Sequence, residues 1–345
     1  MVEFTAGSRR DRHQKMMQGL KQRLSGITAV LPQGRPVVYL DYPVHNNVGD
    51  LLIHQGADAF LKVHRYDVVG SFSLHDFSRR VANDERSIEL KPSIRDLDAL
   101  VKRTGCTVVL HGGGNFGDVW PQFQMFRELI VDRYRDTPIV VLPQSIHFSS
   151  AEQRRRSADA LSRHRQLFIF VRDTESLAFV RDDVGAGCAV MPDMAHQLWG
   201  DPEFAPIEPQ REAGTLHLRR RDRETRNADT TSDHFDWDEL NSAASRFMLR
   251  ALRKWQTIDN PLRHWVSNDR LWRGYRDHLV QRAVDRFRPY ACIDTDRLHG
   301  MILGALLGKQ VRYGEGNYGK LHRYAALWLA ESDMIEGESA RQAAE

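Results

Sequence analysis

The chain has 345 residues, 41% of them hydrophobic and 28% charged, enough apolar material for a large buried core, which excludes disordered, collagen-like and low-complexity classes. A net charge of +3, from 49 Lys and Arg against 46 Asp and Glu, is too small to argue for a nucleic-acid partner. No apolar run approaches the roughly 18 residues of a spanning helix, and no apolar segment follows the charged start Met1 to Arg12 as a signal peptide requires.

Residues 1–34 form a basic opening. Met16, Met17, Leu20, Leu24, Ile27 and Leu31 fall at helical spacing, with Lys15, Gln18, Lys21, Gln22 and Arg23 elsewhere around the helix. The pattern predicts a helix packed on the first domain, in preference to one lying on a membrane surface.

From Arg35 short β-branched runs alternate with helical segments. Val37–Leu40, Thr107–Leu110, Ile139–Leu142, Leu167–Val171 and Ala189–Met191 read as strands; Leu51–Lys62, Gln122–Arg135 and Ala151–Arg163 read as helices. Continuous apolar strands separated by helices predict a parallel sheet covered on both faces. Asp201 to Gly214 holds three prolines and no periodicity, which sets the domain boundary. A second unit follows: strand Thr215–Leu218, a helical region from about Asp236 to Arg288, strand Ala291–Ile293, a helix from Leu298, strand Val311–Tyr313 and a helix from Lys320. The predicted plan is an N-terminal extension (1–34), domains over 35–205 and 206–330, and an acidic tail (331–345). The two α/β domains face a cleft, with ligands at the carboxyl ends of the strands.

Most strand ends carry an unusual polar loop. After the first comes Asp41 to Asp50 (DYPVHNNVGD), longer than a strand-to-helix turn needs, so anion cradling competes evenly with simple capping by Asp50. After the second comes His111-Gly112-Gly113-Gly114-Asn115-Phe116-Gly117-Asp118. Its glycine density favours close approach of a ligand to the backbone, while its spacing fits neither a dinucleotide nor a P-loop fingerprint. Arg219, Arg220, Arg221 and Arg223 crowd the end of strand 215–218 and point to an anion, with one or two of them serving the cleft. Asp294 to Gly300 (DTDRLHG) puts Arg297 and His299 two apart at a helix start, where they can clamp an anion and move a proton. Gly314 to Lys320 delivers one lysine to a helix start. The DxD letters Asp294-Thr295-Asp296 sit beside Arg and His and are not expected to bind a metal. Cys106, Cys188 and Cys292 are far apart in apolar contexts and read as reduced core residues, which fits a cytoplasmic compartment.

Asn47-Val48-Gly49-Asp50, HGGGNFGDVW (111–120), LPQSIHF (142–148), VRDTES (171–176), MPDMA (191–195), the arginine-rich strand end with Asp222 and Glu224, DTDRLHG (294–300) and NYGKL (317–321) occur in this order. The series, over residues 36–330, resembles the polysaccharide pyruvyltransferase family. The resemblance implies a glycosyltransferase-B-like pair of Rossmann-type domains. It also implies transfer of a pyruvyl group from phosphoenolpyruvate to a sugar hydroxyl of an exopolysaccharide or its lipid-linked repeat unit, with release of phosphate and closure of a ketal. In that reading Arg297, Leu298, His299, Lys320 and one of Arg219, Arg220 or Arg221 (Arg220 first) hold the donor, and His299 shuttles the proton. Asn47, Asp50, Gly113, Gly114, Asn115 and Asp118 border the acceptor, with Asp50 or Asp118 as base. No cofactor or metal is expected, and a separate expectation, outside the region of resemblance, is a peripheral contact of the basic helix with the inner face of the membrane. The competing readings are a nucleotide-sugar glycosyltransferase of the same architecture and a non-enzymatic sugar- or polyanion-binding protein.

Overall fold

The computed structural model describes residues 3–78, 88–205, 212–220, 234–257, 268–314 and 319–338. Arg221, Asp222, Arg223, Glu224, Asn317 and Tyr318 lie outside them.

The protein is α/β and contains two parallel sheets. The first contains β1 (Val37–Leu40), β2 (Val68–Phe72), β3 (Thr107–Leu110), β5 (Ile139–His147), β6 (Leu167–Val171) and β7 (Gly187–Val190) in the order β2-β1-β3-β5-β6-β7, with β4 (Gly113–Gly117) paired to the far half of β5. β1 and β3 are buried at every position, which is why VVYL and TVVL run apolar without alternation. α2 (Val48–Val63), α4 (Ile94–Thr104), α5 (Pro121–Arg133) and α6 (Ala151–Ser162) are the longer helices of this half. The second sheet has the order β11-β10-β9-β8, from β8 (Thr215–Leu218), β9 (Cys292–Thr295), β10 (Gln310–Tyr313) and β11 (Ile335–Gly337). Its helices are α8 (Ala243–Thr257), α9 (Asn268–Phe287), α10 (Leu298–Leu306) and α11 (Lys320–Trp328). One apolar cluster runs without a break from Val37 and Tyr39 of β1, through Leu52 and Ile53 of α2, to Ile293 of β9 and Met301 of α10. The two sheets therefore share a core.

Three strands go beyond the sequence expectation. β2 is half-buried and interrupted by Gly70. β11 forms inside the acidic stretch, where pairing with β10 overrides local composition. β4 is three-fifths glycine and exists because β5 offers it a backbone edge. A Cβ on Gly117, whose φ is +127°, would stand 1.7 Å from the carbonyl oxygen of His147. Part of the glycine density thus serves strand pairing. Over 236–288 the helical region is a short turn at Trp237–Leu240 followed by α8 and α9.

The basic helix α1 (Glu3–Leu24) buries Met16, Met17, Leu20 and Leu24 inside the molecule. His13 reaches Ser332 Oγ (2.8 Å) and the Ala305 carbonyl (2.9 Å), Arg12 pairs with Asp333, and Arg23 lies over the Trp328 ring. The helix is packed, as the spacing predicts, but it touches second-sheet elements as well as the loop at Met194–Leu198.

Candidate active site

Strand order reverses between β1 and β3, with β2 on one side of β1 and β3 on the other, and in open α/β sheets the carboxyl ends at such a switch point are where a ligand crevice is expected. The loops singled out in the sequence, Asp41 to Asp50 and His111 to Asp118, leave from these two strand ends. Across from them α10 starts after β9 and brings His299 to the same place.

On the first-sheet side, Asn47 caps α2: its Oδ1 accepts from Gly49 N (3.1 Å) and its Nδ2 donates to Asp50 Oδ2 (3.0 Å). Asp50 is half-buried, with His45 Nε2 at 3.5 Å. Burial lowers the His45 pKa, against the pull of Asp50. Gly113 is beside Asp50, whose Oδ1 lies 3.8 Å from the Cβ position of this glycine. Gly114 is exposed, and Arg172 Nη2 lies 3.4 Å from its Cβ position. Asn115 turns inward: its Oδ1 accepts from Arg127 Nη2 at 2.9 Å. The Asp118 carboxylate is taken up by Ser149 N (2.8 Å), Ser149 Oγ (2.9 Å) and Ser150 N (2.8 Å), at the start of α6. Asp118 thus does structural work and, unlike Asp50, makes no described contact with this group.

On the second-sheet side, Arg297 is 8% exposed and its Nη2 donates to the buried Asp236 at 2.7 Å. Arg219 pairs with Asp294 (2.7 Å), which also faces His217 Nδ1 at 3.0 Å. The Arg220 backbone N–H donates to Asp296 (2.9 Å), and Arg220 is half-buried just past the end of β8. Asp294 and Asp296 are thereby committed to strand-end contacts. Leu298 and Lys320 are half-buried at the starts of α10 and α11. Among the described residues no group of three or more His, Cys, Asp or Glu side chains converges to hold a metal.

The two sides meet at His299. Its Nε2 lies 3.3 Å from Asp193 Oδ2, and a Cβ on Gly49 would fall 2.6 Å from its Nδ1. Asp193 follows β7, is fully buried and forms an ion pair with buried Arg172. Arg172 Nε donates to Ser145 Oγ at 3.1 Å. Burial alone would raise the Asp193 pKa, but His299, Arg172 and the hydrogen bonds from His299 and Ala195 N hold it well below the usual carboxylate range. Tyr324 of α11 closes the group: its Oη accepts from Asp193 N (2.9 Å) and lies 2.9 Å from His196 Nε2.

Four further groups escape a reading of single motifs. Arg172 and Asp193 are single charges at the ends of apolar strands, a signal present inside VRDTES and MPDMA. Asp41, the first residue after β1, has φ +66° and is buried, which pushes its pKa up to about 7 despite Arg127 and the Leu74 amide. His111 is buried, which pulls its pKa down to about 3; its Nδ1 faces Tyr39 Oη at 2.6 Å. The site thus gathers one histidine at a helix start, a buried arginine beside a bare glycine backbone, and a buried carboxylate paired with both. Such a set can bind an anion and move a proton.

Residues 47–313 match the sequence pattern described as polysaccharide pyruvyl transferase. The chain is 34% identical over 319 residues to EpsO of Bacillus subtilis (strain 168), provisionally named a pyruvyl transferase, covering 91% of each. It is 25% identical over 298 residues to Pyruvyl transferase 1 of Schizosaccharomyces pombe (strain 972 / ATCC 24843), covering 86% of this chain and 70% of the relative. A solved structure of a functionally uncharacterised Klebsiella pneumoniae protein superposes with a TM-score of 0.54 at 15% identity, over 93% of this chain and 98% of that one, a likeness of fold. Of the residues placed at the site, those from Asn47 to His299 fall within the matched span while Asp41, His45, Lys320 and Tyr324 flank it, and the chain belongs to the polysaccharide pyruvyl transferase family as an enzyme of that family.

Proposed function

We propose that the protein transfers a pyruvyl group from phosphoenolpyruvate to a sugar of an exopolysaccharide or its lipid-linked repeat unit, forming a ketal and releasing phosphate. The observation that carries the reading is the meeting of His299 with the Arg172–Asp193 pair and the α2 N-terminus across the two sheets. Phosphoenolpyruvate presents a carboxylate and a phosphate, so its site needs more than one cation. Arg220, Arg297 and Lys320 at the strand and helix ends, with Arg172 beside Gly114, are the cations available to hold it. Arg297, tied to Asp236, shapes the second-sheet wall, and Leu298 and His299 open α10 beside it.

In this reading an acceptor hydroxyl adds to C2 of the donor as C3 takes a proton, giving a tetrahedral adduct. The C2–O bond to phosphate then breaks, and a second sugar hydroxyl adds to C2, its proton leaving with the phosphate. His299 supplies the proton to C3. Asp50, half-buried beside Gly113, receives the proton of the attacking hydroxyl, in preference to Asp118. Asn47 and Asn115 shape the acceptor side.

The two sheets are taken as Rossmann-like domains of a glycosyltransferase-B-like pair, divided over 35–205 and 206–330. No helix among the described residues is long and apolar enough to cross a membrane. The reading places the enzyme in the cytoplasm, with no cofactor. Contact with anionic lipid would rest on exposed Arg9, Arg10 and Lys15 of α1, because the apolar face is used inside the protein.

Binding tests the donor. At a hundred times its Kd, phosphoenolpyruvate should stabilise the fold by about 2.7 kcal/mol, read as a rise in Tm. A Tm unmoved by phosphoenolpyruvate and raised by a nucleotide sugar would replace this reading with glycosyl transfer.

A further inference from the structure

We propose that Asp193 is the positioning residue of His299: its carboxylate, built into the first sheet, holds the imidazole carried by α10 with Nε2 protonated and leaves Nδ1 as the nitrogen that exchanges a proton with substrate. The inference rests on the pyruvyl-transfer reading for its substrate but not for the tautomer.

A carboxylate only accepts hydrogen bonds, so an imidazole nitrogen 3.3 Å from Asp193 Oδ2 meets it as N–H. The carboxylate is itself fixed at three points. Its Oδ1 accepts from Ala195 N (2.9 Å), its second oxygen pairs with the Arg172 guanidinium, and its backbone N–H donates to Tyr324 Oη (2.9 Å). With no exposed surface and a buried cation against it, Asp193 stays charged, as its depressed pKa also indicates. The opposite edge of the ring is seated as well. A Cβ at position 49 would lie 2.6 Å from His299 Nδ1 and 2.9 Å from Cγ, so the ring edge occupies the space that any other residue would fill. Nδ1 therefore faces the α2 N-terminus, where Asn47 and Asp50 are, on the acceptor side. Asp193 follows a first-sheet strand, Gly49 lies in the first turn of α2 beside that sheet, and His299 belongs to a second-sheet helix. The proton donor is thus complete only when the two halves are seated on each other. In the protonated ring Nδ1–H is given up while Nε2–H keeps its bond to Asp193, so each turnover ends in the neutral Nε2–H tautomer, ready to be reprotonated at Nδ1.

The test uses the full chain labelled with 15N-histidine. Long-range 1H–15N spectra read the His299 tautomer at a pH where the ring is neutral, with its signals assigned by their loss in His299→Gln. The wild type is expected as Nε2–H. In Asp193→Asn an N–H donor can face the ring instead, and the Nε2–H form is expected to lose its dominance. In the reaction with phosphoenolpyruvate, Asp193→Asn should lower kcat about a hundredfold or more while donor KM stays within about threefold. Placed in the His299→Gln background, the same change should cost less than about twofold, because its effect passes through the ring. Gly49→Ala gives a second variant should Asp193→Asn not fold: it should shift the His299 signals and lower kcat. A wild-type ring found as Nδ1–H, an equal Asp193→Asn loss in the His299→Gln background, or a Gly49→Ala enzyme with unmoved signals and full kcat would each overturn the proposal. If phosphoenolpyruvate is not turned over while the ring is Nε2–H, the donor reading fails and the positioning stands.

Discussion

Arg172 and Asp193 set the cost of the site at the level of single residues. Both are buried, and removing one partner of such a pair leaves a charge without its counter-ion, a loss of about 3–5 kcal/mol. Arg172→Leu should therefore lower the midpoint of denaturant unfolding by that equivalent; a loss below about 1 kcal/mol would mean the pair is open to water. Asp41 works in the opposite sense. Its pKa of about 7 in the fold lies above its ordinary 3.8, so between these values the folded state holds a proton that the unfolded chain has released. Stability then falls as pH rises from about 4 to about 7, by roughly 1.4 kcal/mol per pH unit and up to about 4 kcal/mol in all, and levels off above. Asp41→Asn keeps the left-handed backbone, which Asn tolerates, and should flatten that slope in unfolding curves taken across the range. An unchanged slope would place the titration elsewhere.

At the scale of elements, sequence periodicity reads the buried strands well and the marginal ones poorly. VVYL, TVVL and LFIFV are strands where their apolar content puts them, because burial on both faces asks only for continuous β-branched and aromatic side chains, whereas TLHL alternates, with Leu216 and Leu218 buried and Thr215 and His217 half-buried. β4 and β11 were not legible: GGNFG is three-fifths glycine and IEG is only three residues long, so each is a strand because a neighbouring edge satisfies its backbone. Gly117→Ala tests this for β4. A methyl 1.7 Å from a backbone carbonyl at a positive φ should cost at least about 2 kcal/mol of stability, seen as a lower Tm. Near-native stability would show that β4 can leave β5 without penalty. α1 is the converse case, where helical spacing gave the element but not its partners. Met17 is fully buried, so Met17→Ala should cost about 2–5 kcal/mol in unfolding and leave binding to anionic vesicles unchanged. Weaker vesicle binding with intact stability would instead put that face on the membrane.

At the scale of the molecule, the site belongs to neither sheet alone. The loops of the first sheet were legible as polar inserts at strand ends, and DTDRLHG as an anion and proton site. That His299 is held by Asp193 and Gly49 was not, since these residues lie 106 and 250 positions away from it in the chain. Such a contact follows from how two sheets share one core, which spacing does not encode. The same packing separates Asp118, held at Ser149 and Ser150, from Asp50 near the crevice. Family membership fixes the class of enzyme; the phosphoenolpyruvate donor and the proton path through His299 are what we propose for it.

Phosphate release from phosphoenolpyruvate, measured with and without lipid-linked or synthetic glycoside acceptors, tests this account most directly. Release should depend on acceptor and fall about a hundredfold or more in His299→Ala. Acceptor-dependent release that is undiminished in His299→Ala would contradict the site. A phosphoenolpyruvate that is neither bound nor consumed with any acceptor would contradict the donor.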